Sequence, residues 1–338
     1  MTTTFAFVGF RHPHINDMYT RCSQRGDVQI VAACEEDAAT RESLARAGVV
    51  KITHDNFRAM LRDVKADVVA VGDYYSRRGP LVIEALEAGR HVMADKPLCT
   101  SLAELDAIES LAKRNGRVVS LMLDMRDSPV FLGVRQMIQA GEIGTIRAVS
   151  FGGQHPLNFG SRAGWYFEPG KHGGTLNDIA IHAIDGIPWI TGKKWVELEA
   201  ARCWHHLPPS APHFRGCGQM MAQLDGGAGV LGDVSYLSPD SFGYGVPYYW
   251  RFNFWGDGGM IEAGYNAKSI TLNKAGEKVA REVPLPPGNP GGYLESFLQE
   301  IRGVTTNLHL PSADAMRAAR VALVAQQAAD TGACRVRL

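Results

Sequence analysis

Three groups of residues in this sequence have the types and spacing to handle protons or anions. Asp95-Lys96-Pro97 follows directly on a strand-like run at 91–94. If that run is a parallel strand, Lys96 stands at the carboxyl edge of the sheet, where ligands of such sheets bind. A lysine whose ammonium form is disfavoured by a neighbouring positive charge exchanges a proton with a substrate hydroxyl. An exposed strand-end lysine accounts for the tripeptide equally well. In Gly173-Gly174-Thr175-Leu176-Asn177-Asp178-Ile179-Ala180-Ile181-His182 a helix opening near Thr175 puts Asp178 and His182, four residues apart, on one face. The imidazole takes or gives a proton at neutral pH, and the carboxylate holds it in register. Two glycines ahead of the helix let a ligand approach the backbone. The competing reading is a capping box, with Thr175 as N-cap, Asp178 stabilising the helix start and a packed histidine.

The third group is Gly9-Phe10-Arg11-His12-Pro13-His14, between a first strand and a first helix. A dinucleotide turn there reads G-x-G-x-x-G, because glycines let the backbone approach a pyrophosphate at the helix N-terminus. Only Gly9 matches, and a plain strand-to-helix turn explains it as well. Pro13 removes one backbone donor but suits a first helical turn. Arg11, His12 and His14 offer compensating cationic or donor groups to phosphate. No metal is expected at His12 and His14, since no carboxylate or cysteine nearby in the sequence completes a ligand set. The second strand ends in Cys34-Glu35-Glu36-Asp37. A carboxylate there accepts hydrogen bonds from a ribose diol and repels a 2′-phosphate, so Glu35 favours NAD over NADP; a solvated acidic turn is the alternative. An oxidised nicotinamide ring would supply the positive charge that Lys96 needs.

The elements that position these residues fall into two series. Strands at 4–9, 28–33, 50–52, 68–71, 91–94 and 118–121 alternate with helices at 15–25, 38–47, 56–63, 78–88 and 102–115, the pattern of a doubly wound parallel sheet with crossover helices. Beyond, one helix at 130–140 has Ser128 as N-cap and Pro129 just inside, and Gly141 ends it. Strands follow at 146–152, 195–203, 218–224, 230–236, 249–255, 259–263 and 269–273 without intervening helices. That succession predicts a large, mostly antiparallel open sheet. A turn-rich link at 284–290 and a helix at 313–329 complete the chain. The expected organisation is α/β: a Rossmann-like cofactor domain over 1–121 and a substrate-binding and oligomerisation domain over 122–338.

Length and composition agree with two domains: 338 residues, 45% hydrophobic and 21% charged. Lys plus Arg and Asp plus Glu are equal at 35 each, so no net field favours nucleic acid or an anionic membrane, and a small ligand is expected. No apolar run approaches the roughly 20 residues of a membrane span, and no basic n-region precedes the first strand. The six cysteines are scattered without a C-x-x-C pair, as reduced thiols of a cytosolic protein are. Cys99 lies near the proposed site and reads as a small packed residue rather than a nucleophile. His205 and His206, in a Pro-rich loop, read as solvated.

On these residues the chain resembles the glucose-fructose oxidoreductase / inositol dehydrogenase / rhizopine-catabolism (Gfo/Idh/MocA) family. Asp95-Lys96-Pro97 is similar to its E-K-P signature, and the 173–182 stretch to its G-G-x-x-x-D-x-x-x-H motif. Ala85-Leu86-Glu87-Ala88-Gly89 and Ala140-Gly141-Glu142-Ile143-Gly144 add to the likeness, which runs over nearly the whole chain. The resemblance implies a catalytic triad of Lys96, Asp178 and His182 that handles the proton while hydride passes between a sugar, sugar acid or cyclic polyol and NAD. His182 would be the base, Lys96 would hydrogen-bond the reacting oxygen, and Asp178 would orient substrate and imidazole. It also implies a homodimer or homotetramer formed through the C-terminal sheet. Where the family has T-P-N-x-x-H, this chain has Asp73-Tyr74-Tyr75-Ser76-Arg77-Arg78, which remodels the loop beside the cofactor. Arg126, His155, Trp165 and Tyr166 fall where relatives line the substrate cleft. Two other functions remain open: an enzyme using tightly held NAD for transient oxidation, as a lyase, glycosidase or isomerase, and a non-catalytic regulatory protein binding nucleotide or sugar.

Overall fold

Short, wholly apolar runs separated by capped helices build the first sheet. The computed structural model describes residues 2–205, 211–247 and 249–338. In it β1 (Thr3–Val8), α1 (His14–Ser23), β2 (Val28–Cys34), α2 (Ala38–Ala47), α3 (Phe57–Asp63), β3 (Val68–Val71), α4 (Tyr75–Glu87), β4 (His91–Ala94), α5 (Leu102–Asn115) and β5 (Val119–Leu121) alternate along the chain. The five strands are parallel in the order β2-β1-β3-β4-β5. β3 is buried at every position, which is why it reads as a continuous apolar run instead of an alternation. The helix starts are set by side chains: Asp37 accepts from the Thr40 amide at 2.8 Å, Asn56 from Ala59 at 2.9 Å and Ser101 from Glu104 at 3.2 Å.

The doubly wound sheet expected from the sequence is present, with five strands instead of six. Residues 50–52 form no strand. The chain there makes a single bridge, Cys34 with His54, and a few main-chain bonds such as Thr53 N to Ala33 O at 2.8 Å. α4 starts at Tyr75, ahead of the expected 78, because Tyr74 is the extended residue that ends the preceding loop.

Among the described residues the second sheet has nine strands. β6 (Ile146–Pro156), β7 (Trp195–Trp204), β8 (Cys217–Leu224), β9 (Gly229–Ser238), β10 (Trp250–Gly256), β11 (Gly259–Gly264), β12 (Ser269–Lys274), β13 (Arg281–Pro284) and β14 (Val336–Arg337) take the order β13-β12-β11-β10-β6-β9-β8-β7-β14. All pairs are antiparallel except β6 with β9. Along β9, Val230 and Val234 are buried while Leu231 is 60% exposed, so the sheet has one packed face and one open face. α6 (Pro129–Gln139) lies against the packed face, with the Phe131 ring edge-on to Phe252 at 4.9 Å. α7 (Ile181–Thr191) packs against α6 and is preceded by a π-helical segment, Leu176–Ala180. β13, β14 and a helix, α8 (Gly292–Ile301), were not expected, although Tyr293, Leu294, Phe297 and Leu298 recur at helical spacing and are all buried. The last helix is α9 (Ser312–Thr331).

The contacts divide the chain into two units. The first is Met1–Met122 with Gly170–Gly173 and Tyr293–Met316, and the second is Leu123–Pro169 with Gly174–Gly292 and Arg317–Leu338. Lys96 belongs to the first, and Asp178 and His182 to the second. None of the described helices is long and apolar enough to cross a membrane.

Candidate active site

In the first unit the strand order reverses between β1 and β3, and doubly wound sheets bind ligands at such a point. Gly9 has φ +78°, and a Cβ there would stand 2.5 Å from the Cβ of Asp73, so this turn admits no side chain. Asp73 itself has φ +81°, an uncommon conformation for a residue with a Cβ. It is held by Arg11, whose Nε and Nη2 lie 2.7 Å from Oδ1 and Oδ2. The Arg11 guanidinium also sits over the Tyr74 ring at 4.5 Å, and the Lys171 ammonium is 5.0 Å from the centre of the same ring.

Glu35 does not stand as an open carboxylate. It is fully buried; one oxygen accepts the Phe10 amide at 2.5 Å and the other the Asp37 amide at 2.8 Å. Burial pushes its carboxyl above the usual range. Its evident role is to tie the β1–α1 turn to the end of β2. Glu36 beside it is half-buried and accepts from Arg77 at 3.0 Å.

Lys96 is nearly buried at the carboxyl end of β4, and its peptide bond to Pro97 is cis. Arg78, fully buried on α4, organises this edge: it donates to Asp95 Oδ2 at 2.7 Å, to the carbonyls of Asp73 at 3.0 Å and Pro97 at 3.2 Å, and to the carbonyl of Lys96. Asp95 also meets His12 Nδ1 at 2.6 Å and His14 Nδ1 at 3.2 Å. The cationic Arg78 and the two imidazoles hold the Asp95 carboxyl well below its usual range despite burial. Tyr75, itself buried, places its hydroxyl 3.3 Å from His12 Nε2, with Arg78 over its ring at 4.6 Å. Along the chain no neighbouring carboxylate completes a ligand set with His12 and His14. The fold brings Asp95 to both.

In the second unit Asp178 is buried in the π-helical segment and accepts a hydrogen bond from the Tyr236 hydroxyl. Burial and this carboxylate push the Tyr236 phenol well above its usual range. His182, one turn on at the start of α7, stands edge-on to Trp250 at 5.8 Å. The π-helical stretch is a local widening of a kind frequent at functional sites. Thr175 does not form the capping box: its hydroxyl donates to the Arg215 carbonyl at 2.6 Å, and Gln326 accepts the Leu176 amide at 3.0 Å. The two glycines leave no open room for a ligand either. A Cβ on Gly173 would meet Thr100 at 2.3 Å, and one on Gly174 would meet the Gln326 amide at 2.1 Å.

His155 lies in an aromatic nest, with ring centres 6.0 Å from Tyr236, 5.0 Å from Tyr249 and 5.8 Å from Trp250. Trp165 and Tyr166 stack at 4.1 Å, and Arg162 covers Tyr166 at 4.7 Å and Tyr236 at 5.4 Å. Arg162, Tyr236 and Arg78 carry no local sequence signal, because each finds its partners far along the chain. Arg126 is buried, its Nε 2.8 Å and Nη2 2.5 Å from the Asp185 carboxylate on α7, so its charge is engaged inside the unit. Replacing it by methionine takes this guanidinium away from a buried carboxylate; Arg126→Met is expected to cost about 3–5 kcal/mol in urea denaturation. A loss below about 1 kcal/mol would refute the pairing's role.

His205 bonds the Ala211 carbonyl at 2.8 Å, and His206 lies outside the described residues. Cys99 is buried with its thiol 3.6 Å from the Ser101 carbonyl, and burial raises the thiols of Cys22 and Cys34 to about 12 and those of Cys203 and Cys217 to about 11.

Comparison with known proteins agrees with this architecture. The oxidoreductase family with an NAD-binding Rossmann fold (GFO/IDH/MocA) matches residues 3–123, and the GFO/IDH/MocA C-terminal domain matches residues 131–262. Levoglucosan dehydrogenase of Pseudarthrobacter phenanthrenivorans is 26% identical over 211 residues, 61% of this chain and 52% of that protein. The scyllo-inositol 2-dehydrogenase (NAD(+)) of Bacillus subtilis is 25% identical over 208 residues, 61% of this chain and 58% of that protein. The chain thus spans little more than half the length of these curated relatives. A solved structure from Thermotoga maritima superposes with a TM-score of 0.83 at 26% identity, over 98% of this chain and 100% of that one. With both of its domains matched in order, the chain belongs to the Gfo/Idh/MocA oxidoreductase family.

Proposed function

We propose that the chain is an NAD-dependent dehydrogenase that oxidises one hydroxyl of a sugar, sugar acid or cyclic polyol. The observation that carries the reading is the set of proton-handling groups it keeps: Lys96 at the carboxyl end of β4, and Asp178 and His182 in one helical segment, with Asp178 engaged by Tyr236. Levoglucosan dehydrogenase and scyllo-inositol 2-dehydrogenase, among the relatives, support a cyclic substrate.

The β1–α1 turn fits a dinucleotide: Gly9 leaves the backbone bare beside Asp73 at the reversal of strand order. A nicotinamide held there would supply the hydride acceptor. Everything else falls to the chain. His182 takes the hydroxyl proton, Lys96 hydrogen-bonds the reacting oxygen, and Asp178, steadied by Tyr236, orients substrate and imidazole. His155, Trp165 and Tyr166 contact the substrate, and Arg126 acts as a positioning residue through Asp185. Arg11, Tyr74 and Tyr75 flank the cofactor, and Glu36, the half-buried carboxylate just past β2, disfavours a 2′-phosphate, so NAD is preferred to NADP.

The test is to titrate the purified protein with NAD and NADP, and to screen sugars, sugar acids and polyols for reduced-nicotinamide absorbance. Tighter binding of NAD and turnover of a cyclic substrate are expected. Absence of dinucleotide binding would overturn the reading, and tightly co-purifying NAD without net turnover would move it to transient internal oxidation.

The open face of the nine-stranded sheet exposes Met221 (47%), Leu231 (60%) and Trp255 (48%). These apolar side chains make a second copy of the chain its fitting cover, as a homodimer or as half of a homotetramer. Leu231→Glu is expected to shift sedimentation toward the monomer while the isolated chain keeps its helical content. An unchanged oligomer would exclude this face.

A further inference from the structure

At the carboxyl ends of β1 and β4 stand two imidazoles and a carboxylate to which the proposed reaction gives no proton to move. His12 Nδ1 is 2.6 Å from Asp95 Oδ2, His14 Nδ1 is 3.2 Å from Asp95 Oδ1, and one donor atom from each residue falls within 4.8 Å of the others. We propose that His12, His14 and Asp95 form a site for one divalent borderline transition metal, Zn²⁺ or its spectroscopic counterpart Co²⁺.

Two nitrogens and one carboxylate oxygen are ligand types that zinc and its neighbours accept, and three protein ligands leave a position for water or an anionic oxygen. The outer contacts are those that metal ligands need. In the metal-free chain Nδ1–H of His12 donates to Asp95 and Nε2 faces the Tyr75 hydroxyl 3.3 Å away; an ion taking Nδ1 moves the proton to Nε2, where Tyr75 accepts it. Arg78 anchors Asp95 Oδ2 at 2.7 Å while its own position is fixed by the carbonyls of Asp73, Lys96 and Pro97. His12 and Asp95 are buried, whereas the His14 side chain is 41% exposed, so an ion enters past His14.

Two features limit affinity. Ligand atoms at metal bonds of about 2.0–2.2 Å stand roughly 3 Å or more apart, so the His12–Asp95 contact opens by a few tenths of an ångström on binding. The neighbouring Arg78 charge repels the cation. Binding is therefore expected in the micromolar range, not at the strength of a closed four-ligand site.

The experiment uses the full chain without an affinity tag, stripped with chelator and titrated with Co²⁺ by calorimetry and visible absorption. One ion per chain with micromolar affinity is expected, and His14→Gln, at the exposed ligand, weakens it at least tenfold while metal-free melting is unchanged. Affinity no better than millimolar, or equal binding by the variant, overturns the proposal. Should the variant fail to fold, proton spectra of the Co²⁺-loaded wild type decide: two imidazoles with paramagnetically shifted signals support the site, and one or none overturns it.

Discussion

Replacing His182 by asparagine is expected to lower kcat on the best substrate by roughly 10²–10⁴-fold while leaving the dissociation constant for NAD within about twofold. Asparagine keeps a polar side chain of similar reach but has no group that titrates near neutrality, so it removes the base and little else. Lys96→Met should behave similarly in turnover. Tyr236→Phe removes only the hydroxyl that Asp178 accepts and should cost about tenfold, because the carboxylate keeps its place in the helical segment. Steady-state kinetics with parallel NAD binding measure all three. A His182→Asn enzyme within tenfold of wild type would remove that residue from the chemistry. Loss of NAD binding in the same variant would point to a structural role instead.

The second large effect is expected at Arg78. Arg78→Met removes the donors serving three main-chain carbonyls and leaves Asp95 buried without its cation. Breaking such a pair from one side costs about 3–5 kcal/mol, a large share of a domain's stability. NAD binding should fall with it, since Asp73 and Lys96 lie on the edge that Arg78 ties together. Arg78→Lys is not expected to rescue, because an ammonium cannot reproduce the planar fork across the four acceptors. Arg77 next to it is the control. Its side chain is 30% exposed and pairs with a half-exposed Glu36, so Arg77→Met should change stability by no more than about 1 kcal/mol. Urea denaturation of both variants decides, and equal effects would mean that burial does not set Arg78 apart.

Most of the architecture was legible because its signals are local. Alternation of apolar runs with capped helices marked the Rossmann-like sheet, and the run of strands after residue 146 marked the second sheet. The errors arose where local signal and long-range pairing part company. Residues 50–52 have strand composition but no neighbour to complete a ladder. β13 and β14 are too short and too exposed to carry a pattern, and exist because β12 and β7 offer them an edge. α8 had a readable spacing that the surrounding prolines and glycines obscured.

The proposed site divides along the same physical line. Sequence alone picked out Lys96, Asp178 and His182, since a reactive residue type at a strand end or at helical spacing is a property of a few consecutive residues. It could also say that only Gly9 of the glycine motif survives. Only the tertiary structure decided what each group faces. It turned Glu35 inward to two backbone amides, paired Arg126 with Asp185, gave Asp178 a phenol, and set Asp95 between His12, His14 and Arg78. Partners such as Tyr236 and Asp178 are separated by 58 residues, and His12 and Asp95 by 83. At those separations the partner of a charge is chosen by which strand ends and helix starts the packing brings together, and burial then sets how strongly it is held.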